Sequence, residues 1–302
     1  MDRTSYFIYN LGIFGCYPDT KMISELTSVG VRHFVNLTTP ADKLIPYILP
    51  MGCQMISHPI TDHQVPKNPI QFGKLVIKLV NLLKDGHKIY VHCRGGHGRS
   101  GVLVACILCQ FYKCNPTRGL RQTRLAHAER ENMGDRWRKL GSPQNAKQKR
   151  FVMKMFLPIF FYKTSRSGMA VGFGERSEHP VTIQGLGQFN NSESAYQALK
   201  NKGDKEYVEK LLKCADAKVA RSIGSSCKLE PDWDDRKVDM MELVIRNKVA
   251  QNPSIANNLT RSSLRPIVKN TEDMFWGDGI CGNGLNVYGK ILEKIRDELM
   301  AE

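Results

Sequence analysis

A chain of 302 residues exceeds the size at which one hydrophobic core usually stops growing, so two domains are expected. Its 41% hydrophobic content is that of a globular chain, and the longest apolar stretch, Gly101 to Tyr112, is too short to span a bilayer. Nine cysteines without framework spacing argue against a disulfide-stapled scaffold, and the first six residues lack the basic-then-apolar layout of a secretion signal, so a reducing, cytoplasmic setting is expected.

The net charge of +15 is lopsided: residues 1–155 hold 23 lysines and arginines against 9 acidic residues, and residues 156–302 hold 21 against 20. In chain order, residues 6–15 and 34–37 read as short strands flanking a helix near Lys21 to Val29. Met55 to Pro59 reads as a strand end running into a proline-punctuated loop, Asp62 to Pro69. Phe72 to Leu83 has helical periodicity and stops at Asp85-Gly86. Ile89 to His92 then reads as a buried strand and Gly101 to Tyr112 as an apolar helix. Strands alternating with helices predict an α/β domain with a mainly parallel sheet. From Arg118 to Lys154 eleven cations face Glu129, Glu131 and Asp135. This tract is either a solvated helical face or a surface that steers phosphorylated or nucleic-acid partners; with few aromatics it is no stacking platform.

The seam falls in 150–165, dividing the chain into domains 1–155 and 156–302. Beyond it, Glu193 to Lys202, Lys205 to Leu212, Lys237 to Ala250 and Gly289 to Met300 read as helices. The second half is therefore a helix-rich α+β domain with a glycine-rich loop at 277–289.

The chemistry of the first half is concentrated in Val91-His92-Cys93-Arg94-Gly95-Gly96-His97-Gly98-Arg99-Ser100-Gly101. A cysteine, five residues and an arginine lie between a strand and a helix. Such a loop can converge its backbone N–H groups on one phosphate, and Gly95, Gly96 and Gly98 allow close approach. The helix adds the positive end of its dipole. The same field favours the Cys93 thiolate, Arg99 offers a planar fork for two phosphate oxygens, and Ser100 can hydrogen-bond the sulfur as it leaves. A leaving oxygen needs a proton, and Asp62 is the candidate donor; its alternative is a plain turn residue. Arg94 and His97 add positive character that suits a polyanion, a nucleotide or an RNA 5′ end, or else they are solvent-facing. Cys106 and Cys109 share one face of an apolar helix and read as core, with no partner set for zinc.

His-Cys-x5-Arg-Ser-Gly, with His58-Pro59-Ile60-Thr61-Asp62 upstream, resembles the dual-specificity protein tyrosine phosphatases, closest to the branch of the cyclin-dependent-kinase-associated phosphatases. The resemblance implies that Cys93 attacks phosphorus and that Asp62 protonates the leaving oxygen and then activates water. It also implies a water-positioning glutamine, matched better by Gln148 than by Gln144.

In the second half, Glu193, Tyr196, Gln197 and Lys200 share a helix face. Trp276, beside the Gly277-Asp278-Gly279 turn, offers an aromatic wall with backbone donors. Ser192-Glu193-Ser194-Ala195-Tyr196-Gln197, Pro231-Asp232-Trp233, Asp273-Met274-Phe275-Trp276-Gly277 and Gly284-Leu285-Asn286, in this order, resemble the NADAR family, whose members act on ADP-ribose-related N-glycosides. The resemblance implies Glu193 as the catalytic carboxylate, with Trp233, Asp273, Trp276, Gly277 and Asn286 shaping a site for an ADP-ribose-related ligand. The chain departs from the pattern at Ala170-Val171-Gly172-Phe173, at Gly224-Ser225, and at Val268 or Lys269, where the family has an acidic residue. The domain is then either a glycosidase or a binding module that recruits the phosphatase. Neither activity calls for a metal or another cofactor.

Overall fold

Five strands and six helices build the first half of the computed structural model, which describes residues 2–163, 165 and 168–301. They run β1 (Thr4–Ile8), β2 (Gly12–Gly15), α1 (Thr20–Ser28), β3 (Val31–Asn36), β4 (Gln54–Ser57), α2 (Pro69–Lys84), β5 (Lys88–His92), α3 (Arg99–Phe111), α4 (Pro116–Ala128), α5 (Asp135–Leu140) and α6 (Ala146–Met155). The sheet order is β1-β2-β5-β3-β4; only β1 and β2 pair antiparallel, so the sheet is mainly parallel, as expected from the alternation. β5 lies at its centre with Ile89, Tyr90, Val91 and His92 all buried, which is why it reads as a continuous apolar run. α2 starts where Asn68 caps the N–H groups of Ile70 and Gln71 and Pro69 presets the first turn. It then buries Phe72, Val76, Leu79, Val80 and Leu83 along one stripe. α3 is buried from Arg99 through Gln110, since helices α2, α4 and α6 and the sheet all pack on it. Cys106 and Cys109 are free, buried thiols of that helix.

The chain splits into two compact units, Met1–Leu157 and Pro158–Met300. The second runs β6 (Ile159–Phe161), β7 (Val181–Ile183), β8 (Gly187–Phe189), α7 (Ser192–Ala198), α8 (Lys205–Lys213), α9 (Ala217–Ser225), α10 (Trp233–Gln251), α11 (Pro253–Ser262), β9 (Ile267–Lys269) and α12 (Val287–Ala301). β6 pairs parallel with β9 and β7 antiparallel with β8. The helices enclose a core that includes Phe161, Phe173, Phe189, Val244, Leu259, Tyr288 and Leu292. α10 begins a turn before the expected Lys237, at Trp233, and α9 and α11 join the expected helices. Among the described residues no helix is long and apolar enough to cross a membrane.

One cation sits inside this second core. Lys248 of α10 is 1% exposed and donates from Nζ to the Gly174 carbonyl at 2.7 Å. Burial lowers its pKa to about 7, with the Glu175 charge opposing and Lys269 reinforcing the shift. The unfolded chain binds this proton up to an ordinary lysine pKa while the folded chain has already lost it, so stability rises with pH across that window. Thermal or urea unfolding should register a gain of about 3 kcal/mol from about pH 7 to about pH 9.5. Lys248→Met should remove that slope; an equal slope in the variant would assign it to other groups.

Candidate functional sites

Cys93 follows directly on β5, at the carboxyl end of the parallel strands where ligands of open α/β sheets gather, and is 3% exposed. The loop that follows turns at Gly96, whose φ is +74° and whose Cβ, were there one, would lie 2.3 Å from the Gly15 carbonyl carbon and oxygen. Only glycine fits there. Gly98 is the N-cap of α3, so the helix opens onto the same loop. Ser100 is fully buried, and its hydroxyl has no hydrogen-bond partner among the described residues.

Arg99 is held at 1% exposure by a carboxylate absent from the sequence reading. Its two terminal nitrogens donate to Asp42 Oδ1 and Oδ2, both at 2.8 Å, in a fork-to-fork pair, and one of them also donates to the Ile60 carbonyl at 3.0 Å. The Nε–H edge is left without a partner among the described residues. Asp42 is itself aimed by the turn after β3: the Thr39 N–H and hydroxyl donate to its Oδ2 at 2.8 and 3.0 Å. The Arg99 hydrogen bonds hold the Asp42 pKa down at about 2, against the opposing effect of burial. A Thr-x-x-Asp turn after a strand was visible in the sequence; its link to an arginine 57 positions away was not.

Asp62 approaches from the other side, its Oδ1 3.0 Å from an Arg99 terminal nitrogen, with its side chain 47% exposed. The segment before α6 grips the loop that carries it. Gln144 Nε2 lies 2.6 Å from His63 Nδ1, and Asn145 Nδ2 donates to the His63 carbonyl at 3.1 Å. Gln148 Nε2 donates to the Gln64 carbonyl at 3.3 Å, and Lys147 Nζ pairs with the Gln64 side chain. A Cβ at Gly98 would touch the amides of both Gln144 and Gln148, so both glutamines border the Cys93 loop. The structure therefore brings Cys93, Arg99, Ser100, Asp62 and Gln148 around one loop.

Two loop residues behave differently from each other. Arg94 is exposed. His97 is not a cation: its ring stacks on Trp137 at 4.4 Å and 5°, and its Nδ1 lies 2.8 Å from His127 Nε2. Burial lowers the pKa of His97 to about 4 and that of His127 to about 3, so both are neutral near pH 7. The positive character expected of His97 is corrected on that ground.

The second unit holds a cavity of about 1620 Å3. Glu193 reaches it from α7, whose first turn is fixed by the Asn191 side chain accepting from Ser194 N at 2.9 Å. Glu193 is 6% exposed. Burial pushes its pKa up, the Gln197 hydrogen bond at 2.7 Å opposes, and the neighbouring Glu175 charge adds to the rise. Tyr196 packs on Trp233 at 5.3 Å and edge-on to Trp276 at 5.8 Å, giving the cavity an aromatic wall. Asp273 also lines it, while its Oδ1 accepts from the N–H groups of Phe275 and Trp276.

Gly277 and Asn286 are not on that wall. A Cβ at Gly277 would lie 2.3 Å from Thr271 Oγ1, and Asn286 ties β9 to α12 by accepting from Lys269 N and donating to the Ile267 carbonyl. Both instead brace the backbone beside that wall. Ala170 and Phe173 are core residues, and the wall is built instead from the residues after them, beginning at Glu175. Glu175 was missed by sequence reasoning, and Lys269, whose Nζ lies 3.0 Å from Glu175 Oε2, was read only as a departure from the family pattern. Among the described residues no cluster of three histidine, cysteine or acidic side chains could hold a metal ion.

Residues 11–152 match the family model described as Swiss Army Knife protein, DSP-PTPase phosphatase domain, and residues 160–300 match that of the NADAR domain. Putative tyrosine phosphatase 067L of Invertebrate iridescent virus 3 is 38% identical over 160 residues, covering 52% of this chain and 66% of its own. This chain thus spans less than two thirds of that relative. N-glycosidase YbiA of Escherichia coli (strain K12) is 29% identical over 163 residues, covering 53% of this chain and 99% of its own. The NMR structure of the E. coli protein YbiA is similar with a TM-score of 0.42 and 28% identity, covering 47% of this chain and 84% of that one.

Removing the Asp42 charge leaves the buried Arg99 guanidinium with only the half-exposed Asp62 as counter-charge, which costs up to about 3–5 kcal/mol. Asp42→Asn is expected to lower unfolding stability on that scale and to weaken orthovanadate binding. The pair's contribution is complete above about pH 4, the ordinary carboxylate range, and is lost as pH falls towards about 2. Vanadate affinity and stability unchanged in Asp42→Asn would remove Asp42 from the site.

Proposed function

We propose, for a chain that joins a DSP-PTPase phosphatase domain to a NADAR domain, that the first hydrolyses phosphomonoesters through a phosphocysteine and the second cleaves an ADP-ribose-related N-glycoside. The observation that carries the first half is the Arg99 guanidinium, locked by Asp42 beside the Cys93 loop with the Asp62 carboxylate 3.0 Å away. In this reading the phosphate takes the place of Asp62 at the clamp, using the Nε–H edge and loop N–H groups, with Arg94 at the rim. The Cys93 sulfur attacks phosphorus; the leaving oxygen departs with the proton of Asp62. Water, oriented by Gln148 or Gln144, then attacks the phosphocysteine, returning its proton to Asp62. The thiolate leaves, helped by the unpartnered Ser100 hydroxyl.

In the second domain, Glu193 is the proposed catalytic carboxylate, with Trp233, Trp276 and Asp273 around the ligand. Breaking a ribose N-glycosidic bond builds an oxocarbenium-like state while the nitrogen leaves with a proton, and a carboxyl group at the reacting centre serves that step. The alternative, an ADP-ribose-binding module that recruits the phosphatase, keeps the same cavity without turnover. An RNA 5′-phosphatase is a second reading of the first domain. Ten of the eleven cations from Arg118 to Lys154 are exposed, Arg130 alone being buried against Phe14, and this favours a polyanionic substrate.

A panel of phosphopeptides, phosphoinositides, RNA 5′ ends and ADP-ribose phosphates tests the first domain. Cys93→Ser should abolish turnover on every active substrate, and Asp62→Asn should lower kcat about 100- to 10,000-fold on substrates with poor leaving groups. Full activity in Cys93→Ser would sink the mechanism. Turnover of RNA ends that falls steeply with salt, unlike that of small phosphoesters, would select the RNA reading. In the second domain Glu193→Ala should lose N-glycoside cleavage while keeping ADP-ribose affinity; affinity without cleavage in the wild type would select the binding module.

A further inference from the structure

Glu175 has the surroundings of a reacting group. Three successive carbonyls fix the backbone that carries it. The Phe173 carbonyl accepts from Tyr288 Oη of α12 at 2.9 Å, the Gly174 carbonyl from Lys248 Nζ of α10 at 2.7 Å, and the Glu175 carbonyl from Glu193 N of α7 at 3.1 Å. Gly174 permits this convergence, since a Cβ there would lie 2.3 Å from the Lys163 carbonyl oxygen. A segment tied at each residue to a different helix presents its side chain in one position.

That side chain lines the cavity at 2% exposure, and neither carboxylate oxygen has a hydrogen-bond partner among the described residues. Lys269 faces Oε2 at 3.0 Å as a counter-charge, without hydrogen-bond alignment. A carboxylate buried for structure alone is ordinarily saturated with donors, because an unsatisfied one costs several kcal/mol, on the order of the penalty for a bare buried ion. Here both oxygens lie shielded within the wall of the cavity with their acceptor capacity unused. Lys269 also occupies the stretch before Asp273 where an acidic residue was expected, so the cation and the carboxylate face each other across the cavity wall.

We propose that Glu175 is a second reacting carboxylate of this cavity, the general base that works with Glu193 as the acid. The proposal rests on the N-glycosidase reading of the second domain. The charged and titratable groups around the pair differ between its two members. Glu175 faces Lys269 and the buried Lys248, with Tyr288 and Glu193 nearby. Glu193 faces Glu175, Arg221, Lys269, Lys200, Tyr196 and Tyr288, and burial together with the Glu175 charge favours its protonated form. A carboxyl group disposed to hold its proton, beside a second one whose oxygens carry no hydrogen bond, supplies an acid and a base in one site.

The step balances without a further reactant. A water oxygen forms the new bond to the anomeric carbon and gives its proton to Glu175. The carbon–nitrogen bond breaks, and the nitrogen leaves with the bonding electron pair and the Glu193 proton. Glu175 then returns a proton to Glu193 through solvent, restoring the starting state.

The test uses the full chain with N-glycosides of ribose 5-phosphate and ADP-ribose as substrates. E175Q should lower kcat at least about 100-fold while ADP-ribose affinity changes less than about threefold, and should remove the acid-side limb of the kcat/KM profile against pH. In E175A, sodium azide should restore turnover and yield a glycosyl azide, since the small anion fills the space of the carboxylate. The E175Q/K269M pair removes the unpaired ammonium along with the carboxylate, recovers the folding stability that E175Q loses, and should stay inactive. E193Q losing turnover while E175Q keeps both rate and pH limb would overturn this proposal and leave the N-glycosidase reading standing. Recovered activity in E175Q/K269M would do the same. A wild type that binds ADP-ribose and cleaves none of these substrates overturns both.

Discussion

A guanidinium at 1% exposure cannot stand without a counter-charge, and the arrangement of the first domain's site follows from that need. Asp42 answers it from the turn after β3, Ile60 lends a carbonyl, and Asp62 occupies the remaining approach. Two segments distant in the chain, the turn at Asp42 and the stretch 60–62, are thereby fixed to the first residue of α3. Because Arg99 is six positions from Cys93, whatever holds the guanidinium also sets the distance between the clamp and the sulfur. The grip of Gln144, Asn145 and Gln148 on residues 63 and 64 extends this constraint to the loop carrying Asp62. The Asp62 side chain therefore sits on a braced loop, half exposed.

The second domain solves a related problem with the opposite balance. Arg99 meets a carboxylate whose oxygens are both taken, so the Asp42 pair is closed and serves as a mount. Glu175 meets Lys269 on one oxygen by charge alone, so that pair is open and keeps unused acceptor capacity. A saturated pair rigidifies; an unsaturated one in a cavity stores reactivity at the expense of stability. Lys248 belongs to the same account: burial outweighs the opposing Glu175 charge and lowers its pKa to about 7, while its Nζ fixes the Gly174 carbonyl.

Much of this was legible where the chemistry is contiguous. Strand, Cys93 loop and helix follow one another without a break from Lys88 to Phe111, so their periodicity and glycines announce both the sheet's central strand and the tight loop after it. Glu193 was legible through its helix face. What escaped was non-local or depended on surroundings. Asp42, Glu175 and Lys269 have no sequence neighbour that marks them, since each acquires its meaning from a partner many positions away. His97 was read as a charge because nothing in the sequence places Trp137 and His127 against it. α11, with its run of Asn, Ser and Thr, has little helix propensity of its own and is held by burial of Ile255 and Leu259. The strands of the second domain are three residues long, too short for a period-two pattern to register.

The two domains also place their charge at different depths, and depth decides how charge acts. In the first, the excess of cations is almost entirely exposed; Arg130, the exception in its tract, is withdrawn beneath the sheet, where burial lowers its pKa to about 10. Exposed charge acts across a Debye length of about 8 Å at physiological salt, enough to gather an anionic substrate but not to orient it. Orientation there falls to the closed Arg99–Asp42 pair and the loop N–H groups. In the second, a near-neutral sequence buries Glu175, Glu193 and Lys269 in the cavity wall and Lys248 behind it, where screening is weak and the Glu175 charge acts on both Glu193 and Lys248. A count of charges along the chain registers the first arrangement at once and is blind to the second.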